Sequence, residues 1–435
     1  MNIPKYAKAV ADKLINAGFE AYFVGGCVRD QIMGRTVNDY DITTNALPDD
    51  IKRIFSDMKI IPTGEKHGTM TIVSEGENIE VTTYRVDGEY RDSRHPESVS
   101  FTKNVTDDLA RRDFTINAIC YNKDFVDPFG GREDIERKLI RTVGNSDERF
   151  NEDALRIMRA LRFASVLGFR IEEETKKSIH KNKQLLKNVS VERIFVEFSK
   201  LLCGKNVRSV LMEYVDVIGV FIPEILPCVG FEQKNEYHRY DVYEHIVRAV
   251  EASDTDLKIR LSVFFHDIAK PECFTIDEKG GHFKGHDEKS ALVAHSVLRR
   301  LKADNETVCT VETLVREHQR EILPEKKYVK RCLAKIPSEL FDMLLKVKWA
   351  DTVAHSDKAK GNFEVLNRIA ELKKEIENEG ECFSLKKLEV NGRDLTQMGF
   401  EGRKIGEILN MLLEKVIDGE VENKKEALIE MIKAL

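Results

Sequence analysis

The sequence predicts an α+β protein, in which a mixed α/β region at the N-terminal end is followed by helices over the rest of the chain. Three features of the sequence support this fold class. A short apolar strand at residues 21–24 runs into Gly25 and Gly26 and then into a helix-compatible segment. Residues 69–85 contain two runs rich in β-branched side chains around a turn-forming sequence, which is typical of a hairpin. From Asn151 onward, apolar residues recur at helical spacing.

The elements have separate sequence signals. The first 18 residues form an amphipathic pattern that ends at Gly18, so we expect a helix closed by this glycine. Residues 107–122 carry an apolar face and are also predicted to form a helix. Residues 221–231 contain two prolines and a glycine, interrupt the helical pattern and predict a domain boundary.

Length and composition indicate a soluble globular protein of about three domains. Of the 435 residues, 42% are apolar and 33% are charged, and no run approaches the roughly 18 apolar residues of a membrane helix. The first residues contain no apolar core of a signal peptide, and the eight cysteines are scattered without a C-x-x-C pair. We therefore expect a cytoplasmic protein with reduced thiols and no membrane partner.

The distribution of charge is uneven. The net charge is −6, but residues 137–208 contain 17 Lys or Arg against 9 Asp or Glu. A basic middle in an acidic chain fits an RNA-binding patch. On charge alone, a solvated helical surface with mixed charge is the favoured interpretation, so the motifs must decide between the two.

The stretch from residue 21 to residue 42 carries the first chemical signal. A strand, two glycines and a helix start form a turn whose N–H groups can approach a phosphate, and Arg29 lies one turn into the helix. Asp39 and Asp41 flank Tyr40 and, within a strand, would point to the same side. Two carboxylates beside a bound triphosphate are suitable ligands for Mg²⁺.

The sequences GGCVRD and DYD in this stretch resemble the signature of the nucleotidyltransferase superfamily that includes DNA polymerase β. The variant is similar to the class II branch, which contains bacterial CCA-adding enzymes (tRNA nucleotidyltransferases) and bacterial poly(A) polymerases. The resemblance implies that Asp39 and Asp41 are catalytic residues that hold Mg²⁺. It also implies that Gly26 and Arg29 bind the nucleotide.

Residues 111–118, RRDFTINA, closely resemble the family motif that follows a flexible loop. The resemblance implies that Arg112, Asp113 and Asn117 surround the ribose and the triphosphate. An arginine beside an aspartate offers a charged donor for phosphate and an acceptor for ribose hydroxyls. The preceding polar residues, 86–106, predict a long loop of the kind that is usually functional or mobile.

The sequence EDALR, residues 152–156, resembles the element with which the family reads the incoming base. Asp153 and Arg156 are three residues apart, so we expect them to share one helix face. A carboxylate can accept from the amino group of cytosine or adenine while a guanidinium donates to the adjacent ring nitrogen. Uracil and guanine present the reverse pattern and would leave both side chains unpaired. The resemblance also places Arg159 and Arg162 near the nucleotide.

A second cluster lies in the helical part of the chain and resembles the core pattern of the HD phosphohydrolase superfamily. The metal ligands that this resemblance implies are His245, His266, Asp267 and Asp351. His286 and His318 lie in suitable contexts for the additional ligands of two-metal members. Imidazoles combined with carboxylates suit divalent ions such as Ni²⁺, Mn²⁺ or Mg²⁺. His282, His295 and His355 are interpreted as ordinary packed or exposed histidines.

Two further charged segments have structural interpretations. ERIFVE, residues 192–197, matches a family element and is interpreted as a source of helix-packing ion pairs without catalytic duty. Glu80, on the predicted hairpin, is a candidate third carboxylate beside Asp39 and Asp41. A surface glutamate on a strand is the favoured interpretation of Glu80.

The resemblance runs from Tyr22 through the second cluster and reaches residues 388–409 near the C-terminus. It implies addition of C, C and A to tRNA 3′ ends from CTP and ATP, with Mg²⁺ and without a nucleic-acid template. The predicted domains are a nucleotidyltransferase head at 1–125, a helical neck that binds RNA and nucleotide at 126–225, an HD domain at 226–360 and a helical tail at 361–435.

Several alternatives stay open at this stage. A CC-adding or A-adding enzyme or a poly(A) polymerase would carry similar motifs. The acidic balance argues against a poly(A) polymerase, and the intact loop at residues 86–101 argues against a CC-adding enzyme. An alternative of another class is an HD phosphohydrolase whose head is only an RNA-binding module. The HD domain could also add a second, metal-dependent phosphohydrolase activity, and no DNA partner is expected.

Overall fold

The structure is a computed structural model that describes residues 1–88, 99–234, 236–278, 280–356 and 361–434. The chain divides into two compact units, Met1–Pro223 and Glu224–Leu435. The finer division predicted at residues 125, 225 and 360 stays a prediction. Among the helices in the described residues, none combines the length and the apolar character that a membrane crossing requires.

A seven-stranded mixed sheet forms the centre of the first unit. The strands of this unit are Ala21–Val24 (β1), Tyr40–Thr44 (β2), Lys59–Gly64 (β3), Thr69–Ser74 (β4), Glu77–Thr83 (β5), Arg85–Asp87 (β6), Val99–Phe101 (β7), Cys120–Asn122 (β8), Asp124–Val126 (β9), Leu139–Ile140 (β10) and Arg170–Ile171 (β11). The sheet has the order β3-β4-β5-β2-β1-β8-β9. Strands β2 and β5 are parallel, whereas the other neighbours in the sheet are antiparallel. The pairs β6–β7 and β10–β11 form two small separate sheets.

Helices cover the sheet and continue beyond it. Those of the first unit are Lys5–Asn16 (α1), Gly26–Ile32 (α2), Pro48–Ile54 (α3), Val105–Ala110 (α4), Gly131–Glu136 (α5), Ser146–Glu152 (α6), Leu155–Leu167 (α7), Glu173–Asn182 (α8), Val191–Leu202 (α9), Val207–Glu213 (α10) and Val215–Ile218 (α11). The predicted N-terminal helix is confirmed: α1 buries Val10 and Leu14 on one face, and Gly18 follows its end with φ +89°. Gly18 reverses the chain at low cost because glycine has no Cβ to clash at positive φ.

The prediction of a single helix over residues 107–122 is wrong. Helix α4 ends at Ala110, one 3₁₀ turn covers Thr115–Asn117, and β8 then pairs with β1. Residues 113–120 are all buried. An apolar pattern cannot distinguish a helix from a strand when the segment is buried on every side.

A second difference concerns the junction between α6 and α7. Helix α6 ends at Glu152, and Asp153 has the extended conformation with φ −139° and ψ 102°. The Asp153 carboxylate accepts a hydrogen bond from the N–H of Leu155 at 3.1 Å, as a capping residue does at the start of a helix. The prediction that Asp153 and Arg156 share one helix face is therefore wrong.

The second unit is almost entirely helical. Its helices are Val242–Ala252 (α12), Leu257–Phe265 (α13), His286–Arg300 (α14), Asn305–Glu317 (α15), Lys326–Lys335 (α16), Ser338–Ala354 (α17), Gly361–Asn378 (α18), Gly392–Gln397 (α19), Arg403–Asp418 (α20) and Lys425–Lys433 (α21). Strands Thr275–Asp277 (β12) and Gly280–His282 (β13) form a short hairpin. Helix α13 is buried from Ile259 to Phe265 and passes through the core of this unit. A separate apolar cluster around Val390, Leu395 and Leu412 supports the C-terminal helices.

Candidate active site and metal centre

A cavity of about 590 Å³ in the first unit lies at the turn between β1 and α2. Gly25 has φ +76°, and a Cβ on this residue would lie 3.1 Å from an Nη atom of Arg112. Any other residue there would be strained and would crowd this guanidinium. Gly26 begins α2, and a Cβ there would meet Arg29 only at 3.7 Å. The N–H of Gly25 donates to the backbone oxygen of Ile119, so the first N–H groups of α2 are left for a phosphate, beside two guanidinium groups.

Positive side chains outnumber negative ones among the described residues that line this cavity. The cationic ones are Arg29, Arg35, Arg112, Arg159, Arg162 and Lys200. The acidic ones are Asp30, Asp41 and Asp113. The cavity therefore brings together most of the sequence-predicted nucleotide-binding residues, although they come from three different segments of the chain.

Asp113 connects the two sides of the cavity. Its carboxylate accepts hydrogen bonds from the Arg159 Nε at 2.8 Å and from the Asn117 amide at 3.0 Å. The Asn117 oxygen in turn accepts from Arg29 at 2.7 Å. Burial alone would raise the pKa of Asp113, but the Arg159 guanidinium and the Asn117 amide hold it at about 2. This network fixes the guanidinium groups of Arg29 and Arg159 before any ligand binds.

The ring of Phe163 supports the same cations. The guanidinium carbons of Arg29, Arg159 and Arg162 lie 5.0, 5.3 and 4.1 Å from its centroid. An aromatic face attracts cations, so one buried ring helps to hold three positive charges that repel one another. Burial nevertheless lowers the pKa of Arg162 to about 10, although the Glu197 carboxylate opposes this shift.

The carboxylates of the DYD sequence lie at the start of β2. Asp39 is exposed and directly precedes the strand, whereas Asp41 lies within it and lines the cavity. In the parallel β2–β5 register, Asp41 is opposite Glu80, which the sequence analysis treated as a surface residue. Burial, together with the negative charges of Glu80 and Asp39, raises the pKa of Asp41 to about 6. A buried carboxylate with two further carboxylates nearby forms a set of oxygen ligands suitable for a divalent cation.

Asp153 and Arg156 are not among the described residues that line the cavity. The Asp153 carboxylate is paired with Arg193 at 3.0 Å. Arg156 donates to Glu152 at 2.5 Å and to the backbone oxygen of Arg111 at 3.0 Å. The groups predicted to read the base are thus held by other protein groups in this structure.

The ERIFVE segment forms the helix-packing ion pairs that its sequence predicts. On α9, Arg193 pairs with Asp153, and Glu197 pairs with Arg162 at 3.0 Å. Glu197 is buried, so its charge is balanced by the adjacent guanidinium. Helix α9 therefore holds two of the predicted site residues, Asp153 and Arg162, through ion pairs.

The predicted HD residues meet inside the second unit. His245 lies on α12, His266 and Asp267 follow α13, and Asp351 lies on α17. Their ligand atoms all lie within 4.8 Å of one another. The Nε2 atom of His245 is 3.2 Å from that of His266 and 2.9 Å from an oxygen of Asp351. The side chains of His245, His266 and Asp267 are almost fully buried, and that of Asp351 is 13% exposed.

A second group shares Asp267 with the first. Ligand atoms of Asp267, His286 and His318 also lie within 4.8 Å of one another. His286 and His318 each have Nδ1 at 2.6 Å from a backbone oxygen, of Phe283 and Val315 respectively. Because a carbonyl only accepts, each Nδ1 carries the proton and each Nε2 presents a lone pair.

These lone pairs fit a metal cation. The Nε2 atom of His286 lies 3.1 Å from a carboxylate oxygen of Asp267, so a neutral imidazole places its lone pair beside a second acceptor. Among the described residues, the Nε2 atom of His318 has no hydrogen-bond partner, whereas Asp267 is contacted by the Lys270 ammonium at 2.7 Å. Buried acceptors of this kind are costly unless a cation binds them, and the cluster could therefore hold metal.

Several residues at this centre were missed by the sequence analysis. Lys270 is buried and pairs with Asp267 at 2.7 Å, and its position three residues later is a spacing that could have revealed it. His355, interpreted as an ordinary histidine, lies 3.4 Å from Asp351. Lys348 donates to backbone oxygens near His318, a contact with no sequence signal. The charges of His266 and Lys270 overcome the effect of burial and hold the pKa of Asp267 well below its usual range.

Comparison with known protein families assigns three parts of the chain. Residues 21–141 match the poly A polymerase head domain. Residues 168–227 match the family described as "Probable RNA and SrmB-binding site of polymerase A". Residues 288–432 match the tRNA nucleotidyltransferase domain 2 family.

Curated relatives match over almost the whole length. The chain is 34% identical to a CCA-adding enzyme of Ligilactobacillus salivarius, with 100% of this chain and 98% of the relative aligned. It is 35% identical to a CCA-adding enzyme of Geobacillus kaustophilus, over 97% of this chain and 94% of the relative.

Solved structures show the same architecture. The CCA-adding enzyme of Bacillus stearothermophilus in complex with CTP has a TM-score of 0.71 and 30% identity, covering 100% of this chain and 99% of the other. The Thermotoga maritima CCA-adding enzyme complexed with tRNA has a TM-score of 0.61, covering 98% and 94% of the two chains. At 21% identity, the second comparison shows the fold alone. The predicted fold class is confirmed.

Proposed function

Because the chain belongs to the family of CCA-adding enzymes, we propose that it adds C, C and A in turn to the 3′ end of tRNA, with CTP and ATP as substrates. The observation that carries this proposal is the cation-lined cavity at the Gly25–Gly26 turn. A triphosphate carries several negative charges, and this cavity offers backbone N–H groups together with fixed guanidinium groups. The relatives solved with CTP, with ATP and with tRNA support the same substrates.

We assign a divalent cation, Mg²⁺, to the carboxylates of Asp39 and Asp41. Glu80, opposite Asp41 in the sheet, adds a further negative charge near the ion. Their mutual repulsion and oxygen chemistry fit such an ion. When bound, the ion would stabilise charge on the phosphates and make the tRNA hydroxyl a better nucleophile. Arg29 and Arg112 would then orient the triphosphate, and Asp113 would keep Arg29 and Arg159 in place through its hydrogen bonds.

We propose that Asp153 and Arg156 select the base after leaving their present partners. Asp153 would have to part from Arg193, and Arg156 from Glu152. Both pairs are largely buried, so the exchange requires that the incoming base supply hydrogen bonds in place of the present ones. Once free of these partners, the Asp153 carboxylate and the Arg156 guanidinium would form hydrogen bonds with cytosine or adenine, whereas uracil and guanine would leave them unpaired.

We also propose a second activity for the His/Asp cluster, namely metal-dependent hydrolysis of a phosphate ester on a nucleotide or a 2′,3′-cyclic end. The imidazole and carboxylate set favours Ni²⁺ or Mn²⁺, with Mg²⁺ as a further candidate. A bound ion would supply a hydroxide nucleophile near neutral pH. The protein keeps the Nε2 lone pairs of His286 and His318 directed inward, and Lys270 balances the charge of Asp267.

The experiment that tests the main proposal uses a tRNA transcript that ends at the discriminator base. Purified protein is incubated with each nucleoside triphosphate alone and then with CTP and ATP together. A CCA-adding enzyme extends the RNA by two residues with CTP and by three with both nucleotides. Extension by two residues only, by A only, or by a long A tract would identify a CC-adding enzyme, an A-adding enzyme or a poly(A) polymerase instead.

The absence of any extension, with phosphodiester hydrolysis retained, would favour the HD hydrolase with an RNA-binding head.

We place the enzyme in the cytoplasm, since its tRNA substrate is found there and all eight cysteines are free thiols.

A further inference from the structure

Lys348 lies inside α17, one turn before Asp351. Its ammonium donates hydrogen bonds to the backbone oxygens of His318 and Arg320 at 2.6 and 2.7 Å. Both oxygens follow the end of α15, whose last helical residue is Glu317. The C-terminal end of a helix carries partial negative charge and unpaired carbonyls, so Lys348 caps α15 from a neighbouring helix.

This cap anchors a residue of the metal centre. The imidazole of His318 is fixed at Nδ1 by the backbone oxygen of Val315, and its own backbone oxygen is fixed by Lys348. The remaining ring nitrogen, Nε2, lies 3.7 Å from Asp267 and has no hydrogen-bond partner among the described residues. The position of this lone pair therefore depends on two anchors, of which one is a side chain that can be replaced.

Another lysine of the same helix lies in a different environment. Lys346, two residues earlier, is 53% exposed and pairs with Asp254 at the surface at 2.8 Å. An ammonium that leaves water loses solvation free energy, and hydrogen bonds within the protein must compensate for this loss. Lys348 gains two carbonyl contacts, both next to the centre.

Lys348 also connects the two ligand groups. The group of His245, His266, Asp267 and Asp351 shares Asp267 with the group of Asp267, His286 and His318. Helix α17 carries Asp351 of the first group, and its Lys348 holds the backbone of His318 in the second.

We propose that Lys348 is a positioning residue of the metal centre, which acts through His318 on the ion group formed by Asp267, His286 and His318. The inference rests on the metal centre proposed above. Loss of an outer partner of a metal ligand typically weakens binding 10- to 100-fold, so we expect about that loss at this group when Lys348 is removed. Binding at the group that contains His245 should change much less.

The test measures ion binding by the full chain rather than catalysis. Metal-free protein is titrated with Mn²⁺ by calorimetry, for the wild type and for Lys348→Met, Lys348→Arg and Lys346→Met. The wild type should bind two ions at this centre, counted with Asp41→Ala present in every protein to remove the ion proposed in the head, and Lys348→Met should lose affinity for one of them. Lys348→Arg, which keeps charge and donors, should recover part of that affinity. Lys346→Met is the matched control on the same helix and should behave like the wild type.

A double-mutant cycle separates positioning from general destabilisation. If Lys348 acts through His318, adding Lys348→Met to His318→Ala should cause no further loss of Mn²⁺ affinity. Adding Lys348→Met to His245→Ala should instead combine the two losses. Circular dichroism and thermal melting of each metal-free variant establish that it is folded.

Three results would overturn the inference. If Lys348→Met binds two Mn²⁺ ions at this centre with the affinities of the wild type, Lys348 does not position the centre, although the centre itself stands. If the wild type binds no Mn²⁺ beyond the ion at Asp39 and Asp41, both the centre and the role of Lys348 are wrong. Equal weakening of both ions in Lys348→Met and an additive cycle with His318→Ala would also contradict the inference.

Discussion

Asp113 illustrates how a single buried carboxylate can organise a cavity built from distant residues. It is held by Arg159 and Asn117, and through Asn117 it reaches Arg29. The structure holds its folded-state pKa at about 2, below the ordinary value of 3.8. A carboxyl group with a depressed pKa stabilises the folded state above its unfolded pKa, and this contribution is lost as pH falls through the folded pKa.

We therefore predict a pH-dependent difference in stability between the wild type and Asp113→Asn. The pKa shift corresponds to about 2 kcal/mol of unfolding free energy at neutral pH, of which about 1 kcal/mol should be lost between pH 5 and pH 3. Urea unfolding of both proteins at several pH values measures this. Asp49→Asn is the control, because that side chain is 97% exposed. A difference that stays constant between pH 5 and pH 3 would contradict the assignment.

Loss of the carboxylates at the start of β2 should stop nucleotide incorporation. We expect Asp41→Ala and Asp39→Ala each to reduce CTP incorporation at least about 100-fold, because each removes an electrostatic contact with the reacting phosphates. Filter binding should show that tRNA affinity persists. Asp49→Ala serves as the control at an exposed carboxylate of the same unit. Near-normal incorporation by either variant would remove the metal assignment in the head.

Selection among nucleotides should depend on Asp153 more than on its present partner. Asp153→Ala removes the acceptor for the amino group of the base, so discrimination against UTP and GTP should fall at least about tenfold. Arg193→Ala removes the ion pair but keeps the carboxylate, and it should preserve most of the discrimination. Relative kcat/KM values for the four nucleotides test both variants. Full discrimination by Asp153→Ala would exclude selection by this side chain.

At the scale of elements, the sequence predicts the parts that depend on near neighbours in the chain. Strand β1 has the predicted bounds, α1 is closed at Gly18, and the β4–β5 hairpin turns at Glu75 and Gly76, both with positive φ. Side-chain periodicity and turn chemistry are local signals, so one stretch of sequence contains them.

The sequence is a poor guide where a distant partner decides the local structure. Residues 113–120 lie within the core, and even the polar Asp113, Thr115 and Asn117 are buried, so no solvent-exposed face reveals their period. Asp153 leaves the helix and pairs with Arg193, forty residues later. Lys348 contacts backbone oxygens, which any residue supplies, so no sequence pattern marks this interaction. Motif resemblance identified most residues of the candidate site but could not give their pairing.

The loop that joins β6 and β7 provides a prediction at this scale. Most of the segment singled out by the sequence, Gly88–Pro96, lies outside the described residues, but the flanking strands pair with Asp87 opposite Val99. Deleting Gly88–Pro96 leaves two residues to connect the paired strands, which is enough for a hairpin. The head should therefore stay folded. We expect the variant to add both C residues and to fail at the final A, as the loop would adjust the pocket for the larger base.

Gel analysis of tRNA products with CTP alone and with CTP plus ATP measures this effect. The wild type serves as the reference for both steps. Addition of all three nucleotides by the deletion variant, or of none, would contradict a role for the loop in switching the pocket.

At the scale of the whole molecule, the two candidate sites belong to different compact units. The nucleotide cavity lies within residues 1–223, and the His/Asp cluster lies within residues 224–435. Each site draws its side chains from its own unit, so loss of one set of side chains leaves the other set in place.

We predict that the two activities can be separated by mutation. Changing His266 and Asp267 together to Ala removes ligands from both ion groups and should abolish hydrolysis of bis-p-nitrophenyl phosphate in the presence of Mn²⁺ or Ni²⁺. CCA addition should stay within about twofold of the wild type, as expected for changes outside the incorporating site. Asp41→Ala should show the opposite pattern. Joint loss of both activities in the double variant would show that the units do not act independently.

The division after Pro223 has a consequence for how the chain is made on the ribosome. The central sheet is complete by Val126, and the compact unit that contains it ends at Pro223. At synthesis rates of about 5–20 residues per second, the head has roughly ten seconds or more to fold before the remaining residues emerge. The nascent first unit could then already bind nucleotide while the second unit is still being translated.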